Sequence, residues 1–459
     1  MGGYLAYAEY KDSEIEWLGK IPTSWNPIPL KFLVATRKGI AFKSSDFIDS
    51  GCKVVKASDI KNNTILNSAF FIDESLKSLF PKAILQKEEI VISTVGSNPD
   101  VKNSAVGQVG VVPEYLGESL LNQNTVVFTS KFSTSIQNRF LFYVLISTPY
   151  RDHLDLHAHG TANQASLNIT DMLSFQIALP SIEEQRSIAR FLDYKTAQID
   201  ALITKKETLL KKLAEKRTAL ISQAVTKGCD RTVPMKDSGI EWLGEIPAHW
   251  RIMHLKRALS SSDYGISDNL SASGIHPVLR MGNLQNEEIT MDDVKYIDKV
   301  DPLLILKPND ILFNRTNSLD LVGKVALFRG SDKFEVTFAS YLVRFRTNEL
   351  ADPEYLVFFL GREEVQKKAS SMAWRAIGQA NLNPNRYGYL GICLPPIKEQ
   401  REILSYLKEK LNDLQQPIRK VQIAIAKLKE YRTALITNAV TGKIDVRDVI
   451  LETEPMEAA

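Results

Sequence analysis

Three histidines in the first half of the chain have a spacing that can hold a metal ion. His153, His157 and His159 form an HxxxHxH pattern beside Asp155, and imidazole nitrogens are common zinc ligands. No cysteine or fourth ligand lies nearby, however, and the cluster does not recur later in the chain. The pattern is therefore more typical of an exposed loop than of a metal site.

The sequence lacks the motifs with which enzymes bind nucleotides or methyl donors. It contains no GxxxxGK[ST] phosphate loop, no Asn-Pro-Pro-Tyr or Asp-Pro-Pro-Tyr segment of an amino-methyltransferase, and no glycine-rich loop after a strand. Asp100, Val101 and Lys102 resemble half of a nuclease motif, but they lie in a polar loop without a strand. We therefore expect a non-catalytic chain that binds no cofactor and no metal of its own.

Polar and basic side chains cluster instead in two loops that follow similar apolar runs. Such side chains suit nucleic acid, because arginine can fork onto guanine, asparagine can pair with adenine, and cations bind phosphate. Arg315, Asn317 and Asn98 are the preferred base-reading residues; the alternative is that they are polar turn residues that cap a hairpin. The predicted contacts in these loops are Ser93, Thr94, Ser97, Asn98, Lys102, Asn314, Arg315, Asn317, Ser318 and Lys324.

A second candidate surface is predicted at residues 161–165 and 374–379. Trp374 and Arg375 could insert against a groove, although an exposed tryptophan could equally pack on the protein. The matched Gln164 and Gln379 would either brace their loops or contact nucleic acid. The predicted contacts here are Asn163, Gln164, Trp374, Arg375 and Gln379, and Arg280 completes the predicted set.

These loops need a scaffold to position them, and the chain contains that scaffold twice. LPSIEEQR at residues 179–186 recurs as LPPIKEQR at 394–401, and RTALISQAVT at 217–226 recurs as RTALITNAVT at 432–441, both 215 positions later. A further pair, DSEIEWLGKIP at 12–22 and DSGIEWLGEIP at 237–247, precedes Trp25 and Trp250, respectively. Self-similarity over such lengths predicts two copies of one structural unit.

Between the repeated segments, the composition predicts two similar α+β globules. Short β-branched runs separated by Gly- and Asn-rich turns predict strands at residues 52–57, 89–93, 107–112 and 125–129, with a helix at 140–147. In the second copy, strands are predicted at 277–281, 310–314, 323–328 and 341–345, with a helix at 353–369. Each globule ends at Leu-Pro, where a long helix is predicted to begin.

The two long helices carry their own signals. Ser181 and Glu184 form a capping box, Gly228 and Gly442 are C-cap signals, and Pro417 predicts that the second helix breaks before it. Apolar residues at alternating spacings of three and four predict a heptad seam and an antiparallel coiled coil. A helix of about 24 residues rises roughly 36 Å, near the roughly 34 Å turn of duplex DNA, so the coil would hold the globules about one turn apart. The predicted seam is Ile203, Leu210, Leu213, Leu220, Ile418, Val421, Ile425, Leu428 and Leu435.

The totals of the chain exclude several classes of protein. A hydrophobic content of 44% and a charged content of 24% are typical of a globular protein, and the net charge of +3 permits nucleic-acid binding without demanding it. No apolar run is long enough to span a membrane, and the N-terminus lacks a signal-peptide pattern. The three cysteines are far apart in the sequence, which fits a reducing compartment. We therefore expect a cytoplasmic protein.

The duplicated motifs together carry a family resemblance. The two WLGxIP…W segments, the two LPxIxEQR starts, the two RTALI ends, and EEIVIST…GQVGVV with its copy NDILFNR…GKVALF resemble the DNA-specificity subunit of type I restriction–modification enzymes. The resemblance extends from about Tyr10 to Asp445. Four motifs in the same order, each of them duplicated, make the resemblance specific.

The resemblance implies a division of labour along the chain. Residues 28–179 and 252–394 would be target-recognition domains, each reading one half of a split site in double-stranded DNA. The helical regions at 180–228 and 395–443 would separate them and dock two methyltransferase (modification) subunits, with restriction/translocase subunits completing the complex. S-adenosylmethionine, ATP and Mg²⁺ would belong to those partners. Residues 1–27 form a leader with the first WLGxIP segment, 229–251 a linker with the second, and 444–459 a tail.

The sequence thus predicts a non-catalytic adaptor that presents an adenine in each half-site to a methyltransferase. Two other interpretations stay open. A repeat scaffold that binds only protein partners would show no salt-dependent affinity for DNA. A stand-alone nuclease would require metal-dependent cleavage by this chain alone, and the missing carboxylate–lysine constellation argues against it.

Overall fold

The computed structural model describes residues 4–97, 104–132, 134–161, 164–376 and 378–450. By its internal contacts the chain divides into unit 1, formed by Met1–Lys206 and Ile423–Ala459, and unit 2, formed by Glu207–Gln422. Each unit therefore contains one globule, the beginning of one long helix and the end of the other.

Each globule is built on a six-stranded sheet, and the two sheets have the same strand order. Their central strands, Ile90–Ser93 and Ile311–Asn314, are fully buried runs of mostly β-branched and aromatic residues. In unit 1 the order is Val34–Lys38, Thr125–Ser130, Ile90–Ser93, Val109–Val111, Thr64–Ile65 and Ile60–Lys61. In unit 2 it is Leu259–Tyr264, Leu342–Thr347, Ile311–Asn314, Val325–Leu327, Glu288–Ile289 and Leu284–Gln285.

Both faces of the central sheet in unit 2 are covered by apolar side chains. Ile311 and Phe313 pack into one large cluster with the helices, whereas Leu312 packs into a second cluster on the opposite face. Successive side chains of a strand point to opposite faces. A strand buried on both faces leaves no exposed position along its length.

Smaller sheets surround the central ones. In unit 1, Leu120–Leu121, Cys52–Val55, Phe71–Ile72 and Phe47–Ile48 form a four-stranded sheet. In unit 2, Lys295–Ile297, His276–Leu279 and Thr337–Phe338 form a three-stranded sheet. The two-stranded sheets pair Tyr10–Asp12 with Lys20–Pro22, Asn26–Pro29 with Gln176–Leu179, Met235–Asp237 with Glu245–Pro247, and Arg251–His254 with Gly391–Leu394.

Short helices complete the globules, and they correct one prediction. The helix predicted at residues 353–369 is two helices, Pro353–Leu360 and Glu363–Met372, separated at Gly361, a residue type that weakens a helix interior. The helix predicted at 140–147 is present as Asn138–Leu145. The other short helices are Leu30–Leu33, Thr148–Leu156, Ile169–Ser174 and Pro384–Tyr387.

The two long helices run over Ile182–Lys227 and Ile397–Val440. The predicted break at Pro417 is wrong: the second helix continues through this proline. A proline removes only one amide donor from a helix, and the packed residues Leu414 and Val421 on either side are buried.

The two helices run antiparallel, and one arginine in each of them, Arg217 and Arg432, has an acidic partner. Within unit 1, Arg432 of the second helix bonds to Asp200 of the first helix at 2.9 Å. Within unit 2, Arg217 of the first helix lines a cavity with Leu414 and Ile418 of the second helix, and it pairs with Glu287 at 2.7 Å. The nine predicted seam residues are all buried or half-buried, whereas most residues between them are exposed.

A buried glutamine joins each long helix to its globule. The amide oxygen of Gln400 accepts a hydrogen bond from the Asp352 amide at 2.8 Å, and its Nε2 donates to the Leu350 and Pro395 carbonyls. Gln185 does the same with the Gln137 amide and the Ser135 and Pro180 carbonyls. The glutamine of each EQR motif thus fixes the start of a globule helix against the start of a long helix.

The WLGxIP segments hold the ends of the long helices. In unit 2, the Nε1 of Trp250 donates to Glu399 at 3.0 Å, and a Cβ at Gly228 would contact the same indole ring. In unit 1, Trp25 is fully buried, and a Cβ built on Gly442 would overlap Pro22. Both glycines have a left-handed backbone, with φ of 75° and 70°, which fits the predicted C-caps.

Candidate nucleic-acid interface

The two candidate surfaces of the sequence analysis meet in one small sheet in each unit. In unit 2, Thr316–Asn317 from the first loop pairs with Gln379–Asn381, which pairs with Trp374–Ala376. In unit 1, Val95–Gly96 pairs with Gln164–Ser166, which pairs with His159–Thr161. We call these three-stranded structures the hairpin sheets. A single platform in each unit therefore carries residues from both predicted surfaces.

The outer strand of the hairpin sheet in unit 2 exposes large side chains. Trp374 is 73% exposed, which excludes the alternative that it packs in the core. Arg375 and Gln379 are also exposed, whereas Ala380 on the middle strand is buried. An exposed aromatic ring and an exposed guanidinium, one on each face of an outer strand, can contact bases and phosphates.

Arg315 precedes the Thr316–Asn317 strand of the same sheet, and its guanidinium is held in place. Its Nη2 donates to Asn381 Oδ1 at 2.9 Å, and its guanidinium carbon lies 5.1 Å from the centre of the Tyr264 ring. Asn381 in turn donates to the hydroxyl of Thr316 at 3.2 Å. A guanidinium fixed in this way has fewer conformations to lose when it binds a base edge.

The remaining loop residues of unit 2 differ in their exposure and in the hydrogen-bonding groups that are free to contact DNA. Asn317 is half-buried and its Oδ1 accepts the Ser318 amide at 2.8 Å, so its side-chain NH₂ group is left to donate. Ser318 is exposed and Lys324 is half-buried. Sequence reasoning missed Tyr264 and Tyr341, both 46% exposed beside Arg315, because they lie in segments that differ between the two copies.

Two predicted contact residues are buried, and a third forms an exposed ion pair within the protein. Ser93 and Asn314 end the central strands and are 0% exposed, so neither can touch DNA in this conformation. The guanidinium of Arg280 donates to the Asp293 carbonyl at 2.6 Å and to the Asp293 carboxylate at 3.0 Å. We therefore remove Ser93 and Asn314 from the candidate interface, whereas Arg280 stays a predicted contact.

The hairpin sheet of unit 1 presents a different set of side chains. Gln164 is exposed, and Thr94 and Ser97 are half-buried. The predicted contacts Asn98, Lys102 and Asn163 lie outside the described residues. His159 is exposed at the position that Trp374 occupies in unit 2, since the registers place it opposite Ser166 as Trp374 lies opposite Asn381. The offset of 215 between the copies was the signal that could have found His159.

The other histidines of the HxxxHxH pattern belong to the packing of the globule. His153 Nε2 lies 2.8 Å from the Asp171 carbonyl, and His157 Nδ1 lies 2.8 Å from the His153 carbonyl. Burial lowers the pKa of His153. Within the described part of the chain, no group of three histidine, cysteine or acidic side chains is placed to hold a metal ion.

Comparison with known proteins identifies the family. Residues 22–212 and 257–423 match the model of the type I restriction modification DNA specificity domain. The specificity subunit of the EcoKI type I restriction enzyme of Escherichia coli is 22% identical, covering 93% of this chain and 90% of that protein. A putative MjaX specificity subunit of Methanocaldococcus jannaschii is 26% identical, covering 95% and 97%, respectively.

A solved structure supports the fold. The chain aligns with a TM-score of 0.62 and 17% identity to a solved chain. That structure is described as showing the structural basis of complex assembly and conformational transition in the type I R-M system. The alignment covers 92% of this chain and 99% of the solved one. The chain therefore belongs to the type I restriction–modification DNA specificity family, and the predicted identity and fold class are confirmed. The helices in the described part of the chain are all too short or too polar to cross a lipid bilayer.

Proposed function

We propose that this specificity subunit selects a bipartite, asymmetric DNA site, with unit 1 reading one half and unit 2 the other. One observation carries the proposal. Each unit presents a hairpin sheet of the same topology but with different exposed residues, His159 and Gln164 in unit 1 and Trp374, Arg375 and Gln379 in unit 2. The same frame with different side chains suits two unlike half-sites.

Within unit 2, we assign base reading to Arg315 and Asn317. The bound position of Arg315 favours a bidentate contact with guanine, and the free NH₂ of Asn317 favours a base acceptor. Arg375, Ser318 and Lys324 are suited to phosphate contacts that fix the register. In unit 1, the corresponding contacts are assigned to Thr94, Ser97, Asn98, Lys102, Asn163 and Gln164, together with His159.

The chemistry would be supplied by partners. Two methyltransferase subunits would dock on the long helices, and each would extrude an adenine from the duplex to modify it. S-adenosylmethionine for methylation, and ATP and Mg²⁺ for translocation and cleavage, would be bound by the partner subunits. This chain would be a non-catalytic, cytoplasmic adaptor for them and for restriction/translocase subunits.

Methylation mapping tests the proposal. Cells would express the cognate methyltransferase with this chain, with no chain, or with a chimera in which residues 252–394 are exchanged for those of another family member. We expect a split adenine motif only when the chain is present, and the chimera should change one half of the motif and leave the other half intact.

The competing interpretation is a scaffold that binds only proteins. It predicts that the chain forms a complex with the methyltransferase. It also predicts that the methylation pattern of the cells stays the same when the chain is omitted or exchanged. It also predicts no affinity for duplex DNA that falls with rising salt. Either result would sink the proposed reading of a bipartite site.

A further inference from the structure

Unit 2 contains a strand with one unpaired edge. Arg251–His254 pairs on one side with Gly391–Leu394 and forms a two-stranded sheet. Within the described part of the chain, no strand pairs with its other side. Three of its four residues are exposed, and the apolar Ile252 is 40% exposed. We call this side of the strand the open edge.

The backbone register shows which groups face the open edge. Amides of an antiparallel strand point alternately toward the partner strand and away from it. The Leu255 amide donates to the Leu390 carbonyl at 2.8 Å, so the amides of Arg251 and Met253 also point inward. The amide and carbonyl groups of Ile252 and His254 therefore face outward.

The first copy blocks the same edge. Its equivalent strand, Asn26–Pro29, pairs with Gln176–Leu179 in the same register, and Leu30 donates to the Phe175 carbonyl as Leu255 does to Leu390. Pro27 and Pro29 occupy the positions of Ile252 and His254. Proline has no amide donor, and proteins use it to protect sheet edges. The second copy has retained both donors.

Two cavities beside this strand are lined by basic side chains, whereas a third, lined by Arg251 and Met253, also contains Glu349. Cavities of about 470 Å³ and 500 Å³ flank the strand. The charged or titratable residues that line them are Lys236, Arg251, His254 and Arg257, without an acidic residue. Among the described residues, neither the Arg251 nor the Arg257 side chain has a hydrogen-bond or ion-pair partner.

We propose that the open edge binds an extended, acidic segment of a protein partner by β-strand addition. Outward-facing amides and carbonyls match the backbone of a peptide, and the exposed Ile252 and the flanking basic side chains select apolar and acidic residues in alternation. A second copy of this strand would bring like charges together. A DNA phosphate would satisfy the amides but offers no donor to the carbonyls. The proposal is independent of how the units read DNA.

The decisive variant copies the first repeat. In Ile252→Pro/His254→Pro, the strand keeps its inward bonds to Gly391–Leu394, as Asn26–Pro29 keeps its own with prolines at both places. The variant should therefore fold, with a melting temperature lowered by only a few degrees, because the exposed contact of the His254 ring with Tyr389 is lost. The probe is a library of random linear decapeptides selected against the wild-type full-length chain without DNA.

We expect enrichment of peptides that alternate apolar residues with Asp or Glu, and at least tenfold weaker binding of these peptides to the double-proline variant. The variant Arg251→Glu/Arg257→Glu should also bind these peptides more weakly, because it reverses the charge beside the strand and leaves the backbone of the open edge intact. The proposal is overturned if acidic peptides bind both variants as well as the wild type, or if no peptide is enriched. It is also overturned if the double-proline variant loses affinity for a random-sequence duplex instead, which would make the edge a phosphate site.

Discussion

Ser93 and Asn314 occupy the same position at the end of the central strands, but only one of them satisfies its polar group. The hydroxyl of Ser93 donates to the Val95 carbonyl at 3.0 Å. Both polar atoms of the Asn314 side chain are buried without a partner. The short length and β-branched content of the run predict the strand, but not the burial of its last residue, because a strand covered on both faces hides both sets of side chains.

Asn314→Ser should therefore stabilise the protein. The shorter side chain removes an unpaired buried amide and can bond to the Thr316 carbonyl as Ser93 does to Val95. We expect a gain of up to about 2 kcal/mol in the free energy of unfolding, measured by urea denaturation. DNA affinity should stay the same. A loss of DNA affinity at unchanged stability would return Asn314 to the interface.

Arg315→Lys tests base reading separately from charge. Lysine keeps the positive charge but cannot hold Asn381 and a guanine edge with a planar fork. We expect discrimination against single-base changes in one half-site to fall about tenfold to hundredfold, measured as methylation rates of the assembled complex. Arg375→Lys is the matched control, because a phosphate contact tolerates either cation. Loss of discrimination in the control alone would reverse the two assignments.

At the scale of elements, the glutamine of the repeated EQR motif makes equivalent buried contacts in both copies, whereas the contacts of the glutamate differ between the copies. Gln185 and Gln400 satisfy backbone groups of a neighbouring helix start. Glu399 accepts a hydrogen bond from Trp250 Nε1, but in the first copy Trp25 Nε1 and Glu184 Oε1 are buried without a hydrogen-bond partner. The sequence shows that the EQR motif is repeated, but it does not show which residues the motif contacts, because Gln400 and Asp352 are 48 residues apart. Long-range partners of this kind depend on the fold and not on local pattern.

Gln400→Leu should destabilise unit 2 strongly. The substitution leaves the Asp352 amide and the Leu350 and Pro395 carbonyls without their partner in a buried site. We expect a loss of about 2–5 kcal/mol, seen as a lower midpoint of urea unfolding. Gln416→Leu serves as the control, because Gln416 is exposed on the same helix and should change little. Equal effects of the two substitutions would contradict the role assigned to Gln400 in joining the long helix to its globule.

The end of the second long helix depends on a glycine for two separable reasons. Gly442 has φ of 70°. A Cβ atom at this position would overlap Pro22 and would lie 3.2 Å from the nearest ring carbon of Trp25. Gly19, in the same unit, has φ of 61° and nothing within 4 Å. Gly19→Ala should cost about 1–2 kcal/mol from the backbone alone. Gly442→Ala should cost roughly 2 kcal/mol more from overpacking, measured by thermal unfolding; equal costs would contradict the packing argument.

The sequence predicted the long helices better than their interruptions. The capping and C-cap signals place their ends within a few residues of Ile182–Lys227 and Ile397–Val440. Pro417 was expected to break the second helix, but tertiary packing on both sides of the proline outweighs one lost hydrogen bond. The helix at 353–369 was expected to be continuous because periodicity extends across Gly361. Periodicity reports which side is buried and does not detect a short interruption.

For the whole molecule, the segment at residues 5–20 and the segment at residues 442–445 meet in unit 1. Leu5 forms an antiparallel bridge with Asp445, the hydroxyl of Tyr10 donates to the Gly442 carbonyl, and Lys443 donates to the Leu18 and Lys20 carbonyls. In unit 2, the end of the first helix meets its WLGxIP segment within continuous chain, where Lys227 donates to the Glu245 carbonyl. The same closure is therefore made once across the termini and once within the sequence.

This closure predicts that the termini can be moved. A permuted chain would join residue 459 to residue 1 and begin at Asp230, which follows the exposed Cys229 in the turn after the first helix. Each WLGxIP segment would keep its helix end, so we expect a melting temperature within a few degrees of the parent and the same methylated motif in cells. A control permutant that begins at Arg401 cuts the helix start next to Gln400 and should not fold. If the Asp230 permutant also fails, the covalent order of the chain contributes more than the contacts at its ends.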